Sequence, residues 1–115
     1  MRSLLLIGVL ALGLAAVSRP AAASGVRMYV RHEVSSYATW RKAYDSFEAS
    51  QQKLGVLAQA VYQSLDDPND ITVTHDFASA AKAKAFAGSE ELKAAMQKAG
   101  VKGAPQIWFT TRAAR

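Results

Sequence analysis

Apolar and polar residues alternate with a period of two in several segments of the chain, and this pattern predicts β-strands. Over residues 26–34 the even positions are apolar except His32, and the odd positions carry arginine, tyrosine or glutamate. Residues 71–77 repeat the pattern, with His75 as the one polar side chain of the apolar face. Weaker alternation predicts two further strands, over residues 56–65 and 104–110. One face of the predicted sheet is therefore apolar and must be covered.

A helix is predicted directly after the first strand, because aromatic residues follow one another at helical spacing. These residues are three, four and three positions apart and share one helix face: Tyr37, Trp40, Tyr44 and Phe47. Ser35 or Ser36 is the expected N-cap, since a serine oxygen can accept from a free N–H of the first turn. The helix is expected to run to about Leu54, with Gly55 as its left-handed stop.

The second half of the chain predicts the same alternation of elements. The polar segment 66–70, with Pro68 inside it, predicts a tight turn and hence antiparallel neighbouring strands. A second helix is expected to open at Ser79, to be interrupted at Gly88-Ser89 and to end at Gly100. The resulting order, β-α-β-β-α-β, predicts an α+β ferredoxin-like antiparallel sheet with the helices on one face.

The first 23 residues follow a different pattern. Arg2 precedes an apolar run from Leu4 to Val17, and small residues follow at Ala21-Ala22-Ala23. This order predicts a signal peptide, residues 1–23, and an exported domain, residues 24–115, that is periplasmic or secreted. The run would span only about 21 Å as a helix, short of the roughly 30 Å hydrocarbon core, although an uncleaved anchor stays open as an alternative.

Composition narrows the function classes. Without Arg2 and Arg19 the domain has 12 basic and 9 acidic residues, and its lysines are spread over the predicted helices. No clustered basic stripe is visible, so we do not expect nucleic-acid binding. Cysteine is absent, which excludes disulfides, thiol nucleophiles and cysteine metal sites. Beyond the signal peptide no stretch is apolar enough to predict a membrane span.

The two histidines are the main candidates for chemistry. The predicted register places His32 beside Ile71, about 13 Å from His75, which is too far for a shared metal ion. No metal site is therefore expected. Each histidine is either a hydrogen-bonded core residue or a group that polarises a phenol or a substrate oxygen in a helix–sheet cleft. Three aromatic residues could wall the same cleft or could be ordinary core: Trp40, Tyr44 and Phe86.

The other face of the sheet is polar but includes Tyr29 and Trp108. Such aromatic residues on a polar face indicate a subunit interface or a ligand surface, with a bare solvated face as the alternative. Arg31 and Asp76 could form a charge pair there, and Thr74 lies among them. These five residues are the candidates for a dimer face.

Short motifs throughout the domain carry a resemblance to a known family: His32-Glu33-Val34, Tyr37 with Trp40, Tyr44-Asp45 with Phe47, Gly55-Val56, Val61-Tyr62, Asp67-Pro68-Asn69, Asp76-Phe77, Ser89 through Leu92 to Met96, and Gly100-Val101. The domain resembles the antibiotic biosynthesis monooxygenase-like family of the dimeric α/β-barrel superfamily. The resemblance implies a homodimer in which two sheets pack face to face into a barrel. It also implies a pocket in each subunit between the helices and the sheet.

Two functions stay open on this reasoning. The family includes cofactor-free oxygenases of aromatic substrates, so the domain could bind a small apolar or aromatic molecule and oxygenate it without a cofactor. It also includes haem-degrading enzymes, but the one asparagine, Asn69, falls in a predicted turn. The alternative is a non-enzymatic binding or stress-related module. An open pocket of roughly 300 Å³ or more, with a histidine pointing in, would favour the enzyme.

Overall fold

The computed structural model describes residues 25–115, so the predicted signal peptide lies outside the described residues. The described residues form an antiparallel sheet of order β2-β3-β1-β4. In chain order the elements are β1 (Val26–Val34), α1 (Tyr37–Ser46), α2 (Glu48–Lys53), β2 (Ala58–Gln63), β3 (Asp70–Phe77), α3 (Ala80–Ala87), α4 (Glu90–Lys98) and β4 (Val101–Thr111). The predicted ferredoxin-like α+β plan is confirmed.

The register of the sheet follows from the apolar alternation. His32 of β1 pairs with Ile71 of β3, and Met28 pairs with His75. The even positions of β1 from Met28 onward are buried, while Arg27, Arg31 and Glu33 are exposed. The helices cover the apolar face, as predicted.

The first predicted helix is not continuous, and the expectation of one helix to Leu54 is wrong. It breaks at Phe47, which separates α1 from α2. The Ser46 hydroxyl donates to the Ala43 carbonyl at 2.8 Å, and the Phe47 N–H turns to the Tyr44 carbonyl, three residues back, at 3.0 Å. A serine side chain that competes for backbone groups in this way commonly ends a helix.

The fourth strand starts earlier than expected, because Val101 already pairs with Val34 at the end of β1. The register then shifts between Arg31 and Glu33, where β4 carries extra residues. Gly103 lies within this irregular stretch with a φ of +69°, a conformation that glycine adopts at low cost. β4 is an edge strand, which suits its proline.

Serine side chains open three of the helices as predicted. Ser36, Ser79 and Ser89 each accept from the N–H three residues ahead, at 3.1–3.3 Å. Asn69 adds a contact that sequence reasoning missed. Its side-chain oxygen accepts from the Tyr37 N–H at 2.8 Å, which fastens the β2–β3 turn to the start of α1.

Candidate functional site

A small cavity lies between the apolar face of the sheet and helices α1, α2 and α4. Its volume is about 30 Å³, above the roughly 10–15 Å³ that a single water molecule needs. The polar side chains that line it are His32, Gln51 and His75. The aromatic ones are Trp40, Tyr44 and Phe47. Four of the five residues predicted for a pocket therefore lie together around one space.

An aromatic stack forms the wall on the α1 side. Trp40 stacks on Tyr44 with ring centroids 4.7 Å apart and on Tyr37 with centroids 6.0 Å apart. Trp40 is 2% exposed. Phe86, the fifth predicted pocket residue, does not line the cavity. Its ring packs behind the His75 ring, with centroids 5.1 Å apart, and against the Phe77 ring, with centroids 5.3 Å apart.

His75 is tied to the protein surface through Tyr44. The Tyr44 hydroxyl donates to Gln59 Oε1 at 2.9 Å and lies 3.2 Å from His75 Nε2. Burial lowers the pKa of His75 to about 4, so its ring is neutral at pH 7. Burial also raises the pKa of Tyr44 to about 12, an effect that the nearby Gln51 amide partly offsets. Both groups are therefore uncharged near neutrality.

Several buried nitrogens at the cavity lack a partner. Within residues 25–115, no hydrogen bond reaches either ring nitrogen of His32, Nδ1 of His75 or Nε2 of Gln51. These side chains are 7%, 3% and 2% exposed respectively. His32 meets Trp40 edge-on at 5.8 Å, and burial lowers its pKa. A buried polar atom without a partner costs about 1–3 kcal/mol, so this cavity is suited to a polar occupant.

The opposite face of the sheet carries the residues predicted for a dimer face. Tyr29 and Trp108 stack in parallel with centroids 5.0 Å apart, and Thr74 pairs with Tyr29 across the strands. The expected pair between Arg31 and Asp76 is not formed.

Two other ion pairs take its place on that face. Arg27 binds Asp76 through two hydrogen bonds of 2.7 and 3.0 Å, and Arg31 binds Asp70 through two of 2.7 and 3.1 Å. The Arg31 guanidinium lowers the pKa of Asp70. In the register, Arg27 lies directly opposite Asp76, which explains the exchange of partners.

Metal and membrane sites are not seen in the described part of the chain. No three histidine, aspartate or glutamate side chains of residues 25–115 gather closely enough to hold a metal ion. Over the same residues, every helix is too short or too polar to cross a bilayer.

Two site residues escaped sequence reasoning. Gln51 follows Tyr44 by seven positions, so the helical spacing of the aromatic face could have found it. Gln59 lies directly opposite His75 in the pairing of β2 with β3, so a hairpin centred on the predicted turn at residues 66–70 could have brought the two residues together.

Nearly all residues around the cavity lie in a region that matches a known protein family. The family model for antibiotic biosynthesis monooxygenase matches residues 25–98, a range that includes every residue around the cavity except Ala99. Among curated proteins, none matches the sequence significantly.

Solved structures share the fold at low identity. A protein from Bordetella bronchiseptica, described as an antibiotic biosynthesis monooxygenase, superposes with a TM-score of 0.69 at 12% identity, over 79% of this chain and 99% of that one. SnoaB, a cofactor-independent oxygenase from Streptomyces nogalater, superposes with a TM-score of 0.67 at 11% identity, over 81% of this chain and 97% of SnoaB. A Caulobacter crescentus protein, also described as an antibiotic biosynthesis monooxygenase, superposes with a TM-score of 0.64 at 20% identity. The match covers 79% of this chain and 92% of that one.

Proposed function

The chain belongs to the antibiotic biosynthesis monooxygenase family, and from this premise we propose that it binds a small aromatic molecule in the helix–sheet cavity and oxygenates it without a cofactor. The observation that carries the proposal is the buried cavity with a stacked aromatic wall and histidine nitrogens that lack partners. The similarity in fold to SnoaB, a cofactor-independent oxygenase, supports the reaction type.

The residues of the cavity suit such a reaction. An electron-rich aromatic substrate can itself reduce oxygen once a hydroxyl proton is drawn away, and a dry site strengthens every hydrogen bond to the developing anion. Neutral His75 offers Nδ1 as a hydrogen-bond acceptor that polarises the substrate hydroxyl, and Gln51 offers an N–H donor. Trp40 and Tyr44 supply flat surfaces against which an aromatic ring can stack.

The cavity must enlarge to admit such a ligand. A volume of about 30 Å³ is below the roughly 300 Å³ typical of ligand pockets. α4 covers the cavity with Leu92, Ala95 and Met96. Met96 is only half-buried, and its unbranched side chain can change rotamer at low cost. Movement of this side of α4 would open the space beside the histidines.

The small volume also favours a second candidate function. A cavity that stays closed would suit a non-enzymatic binding or stress-related module, which holds a small polar molecule and catalyses nothing. The two functions differ in whether oxygen is consumed when an aromatic molecule binds.

Oxygen uptake with a panel of dihydroxyaromatics tests the enzyme directly. We expect uptake and a hydroxyquinone product with the wild-type chain, in which one atom of O₂ enters the product and the other leaves as water because the dihydroxyaromatic itself supplies the four electrons. His75→Ala should lower the rate at least about tenfold. Phe86→Leu, which changes packing behind His75 without touching the cavity, is the matched control. Binding without uptake would support the second function, and no binding would contradict both.

The open face of the sheet supports a homodimer. Trp108 and Tyr62 are 42% and 56% exposed there, and aromatic residues and arginine are enriched at subunit interfaces. We expect sedimentation as a dimer for the wild-type chain and as a monomer for Trp108→Glu. Leu65→Glu, at a fully exposed turn position, should stay dimeric, and a monomeric wild type would contradict the barrel.

The pattern of residues 1–23 supports export. Expression of the full chain with its N-terminus should yield a periplasmic or secreted protein that starts at Ser24 or within a residue or two of it. Mass spectrometry of the purified protein measures this, and an intact Met1 in the membrane fraction would favour the anchor instead.

A further inference from the structure

An exposed glutamine is linked to the buried cavity by two hydrogen bonds in series. We propose that Gln59, acting through Tyr44, fixes His75 as the tautomer with its proton on Nε2, so that the cavity presents a bare nitrogen that accepts hydrogen bonds. Gln59 is a positioning residue in this scheme. The proposal deepens the proposed function, on which its consequence for ligands rests.

The assignment follows from counting hydrogens. A tyrosine hydroxyl has one hydrogen, and Tyr44 donates it to Gln59 Oε1 at 2.9 Å. The contact of 3.2 Å between Tyr44 and His75 must then use the hydrogen on His75 Nε2. Neutral imidazole carries one N–H, so Nδ1 keeps its lone pair. That nitrogen has no hydrogen-bond partner in the part of the chain that the structure describes.

Burial keeps the His75 ring neutral, so that only its tautomer can vary. His75 is 3% exposed, so a second proton on its ring is disfavoured and the tautomer alone decides whether Nδ1 donates or accepts. Tyr44 is uncharged as well and can only pass on the direction imposed by its outer partner. Gln59 is exposed at the edge of the sheet on β2, so the polarity of a buried site is set from the surface.

The consequence is selection among ligands. A group placed against Nδ1 must donate a hydrogen bond, which favours a hydroxyl over an ether or carbonyl oxygen of the same shape. A site built to pair with a hydroxyl rejects an analogue that lacks it, because the buried nitrogen is then left unpaired.

Variants of Gln59 test the tautomer in the ligand-free protein. Ionised glutamate at this position can only accept, and lysine can only donate. Long-range ¹H–¹⁵N correlation of the imidazoles distinguishes the two tautomers. We expect Nε2–H in the wild type and in Gln59→Glu, and Nδ1–H as the major form in Gln59→Lys. Gln63→Lys, on the same face of the same strand, is the charge-matched control and should stay Nε2–H.

Two results would overturn the proposal: Nδ1–H in the wild type, or the same tautomer in Gln59→Glu and Gln59→Lys. All of these substitutions are at exposed positions, so folding is expected to survive and is checked by the unchanged strand resonances.

Phenol and anisole then test the ligand selection. We expect the wild type to bind phenol about tenfold more tightly than anisole, and Gln59→Lys to lose that preference. Equal affinities in the wild type would contradict the selection. If neither compound binds, the proposed function fails, whereas the tautomer result is decided without any ligand.

Discussion

Acid should destabilise this domain through His75. Burial lowers the pKa of His75 from 6.5 to about 4 in the folded protein, whereas the unfolded chain keeps the ordinary value. Below pH 6.5 the unfolded state therefore binds more protons, and stability falls as the pH falls towards 4. The nearby charged groups are Asp76, which favours protonation, and His32, which opposes it.

The size of the effect follows from the two pKa values. Relative to high pH, where His75 is neutral in both states, proton linkage lowers the free energy of unfolding by about 0.2 kcal/mol at pH 7 and by about 2 kcal/mol at pH 5. His75 alone therefore accounts for a difference of about 1.8 kcal/mol between these two pH values. His32 adds to this loss, since burial lowers its pKa as well. Asp70, whose pKa is lowered by Arg31, contributes its own loss only below about pH 4.

Urea unfolding at pH 7, 6 and 5 measures this dependence in the wild type and in His75→Gln. Glutamine keeps a donor for the Tyr44 hydroxyl but does not titrate. We expect the variant to be less stable at pH 7 and to lose about 1.8 kcal/mol less between pH 7 and 5. His32→Gln is the matched comparison for the second histidine. If His75→Gln loses as much stability as the wild type over this range, the neutral buried histidine is refuted.

Three further substitutions can be measured by the same urea unfolding at pH 7. Trp40→Ala should cost about 3–5 kcal/mol, because it empties the centre of the aromatic stack; a cost below 1 kcal/mol would mean that the stack is not packed as described. Asn69→Ala should cost about 1 kcal/mol by freeing the Tyr37 N–H, and an unchanged midpoint would show that water replaces that bond. Gly55→Ala should cost about 1 kcal/mol or more, since φ is +99° there. Gly88→Ala is its control, with a negative φ and only an ordinary contact for the new methyl group, and equal costs would contradict the conformational reason.

Local rules were sufficient to predict the fold. Period-two alternation assigned His32 and His75 to the covered face, and the structure places both under the helices. Serine signals located the N-caps of α1, α3 and α4, and glycine signals located the ends of α3 and α4, because these interactions are made within one turn of the chain.

Other features depend on contacts that a linear pattern does not show. At the break, the Ser46 hydroxyl bonds the Ala43 carbonyl, a side-chain contact that the aromatic spacing does not show. The pairing of Arg27 with Asp76, by contrast, already followed from the predicted register of His32 with Ile71. Gln59 reaches Tyr44 only once β2 has docked beside β3. The sequence therefore predicted four of the residues that line the cavity, but not Gln51 or the hydrogen bonds that link Gln59, Tyr44 and His75.

The two tryptophans of the chain lie on opposite faces of the sheet, which gives each face its own optical reporter. Trp40 is 2% exposed and lies at the cavity, whereas Trp108 is 42% exposed on the open face. Trp40 should emit at shorter wavelength and be shielded from iodide, whereas Trp108 should be quenched by iodide in the monomer and shielded from it in the dimer. Changes in intrinsic emission can therefore be assigned to the cavity or to subunit association without any added label.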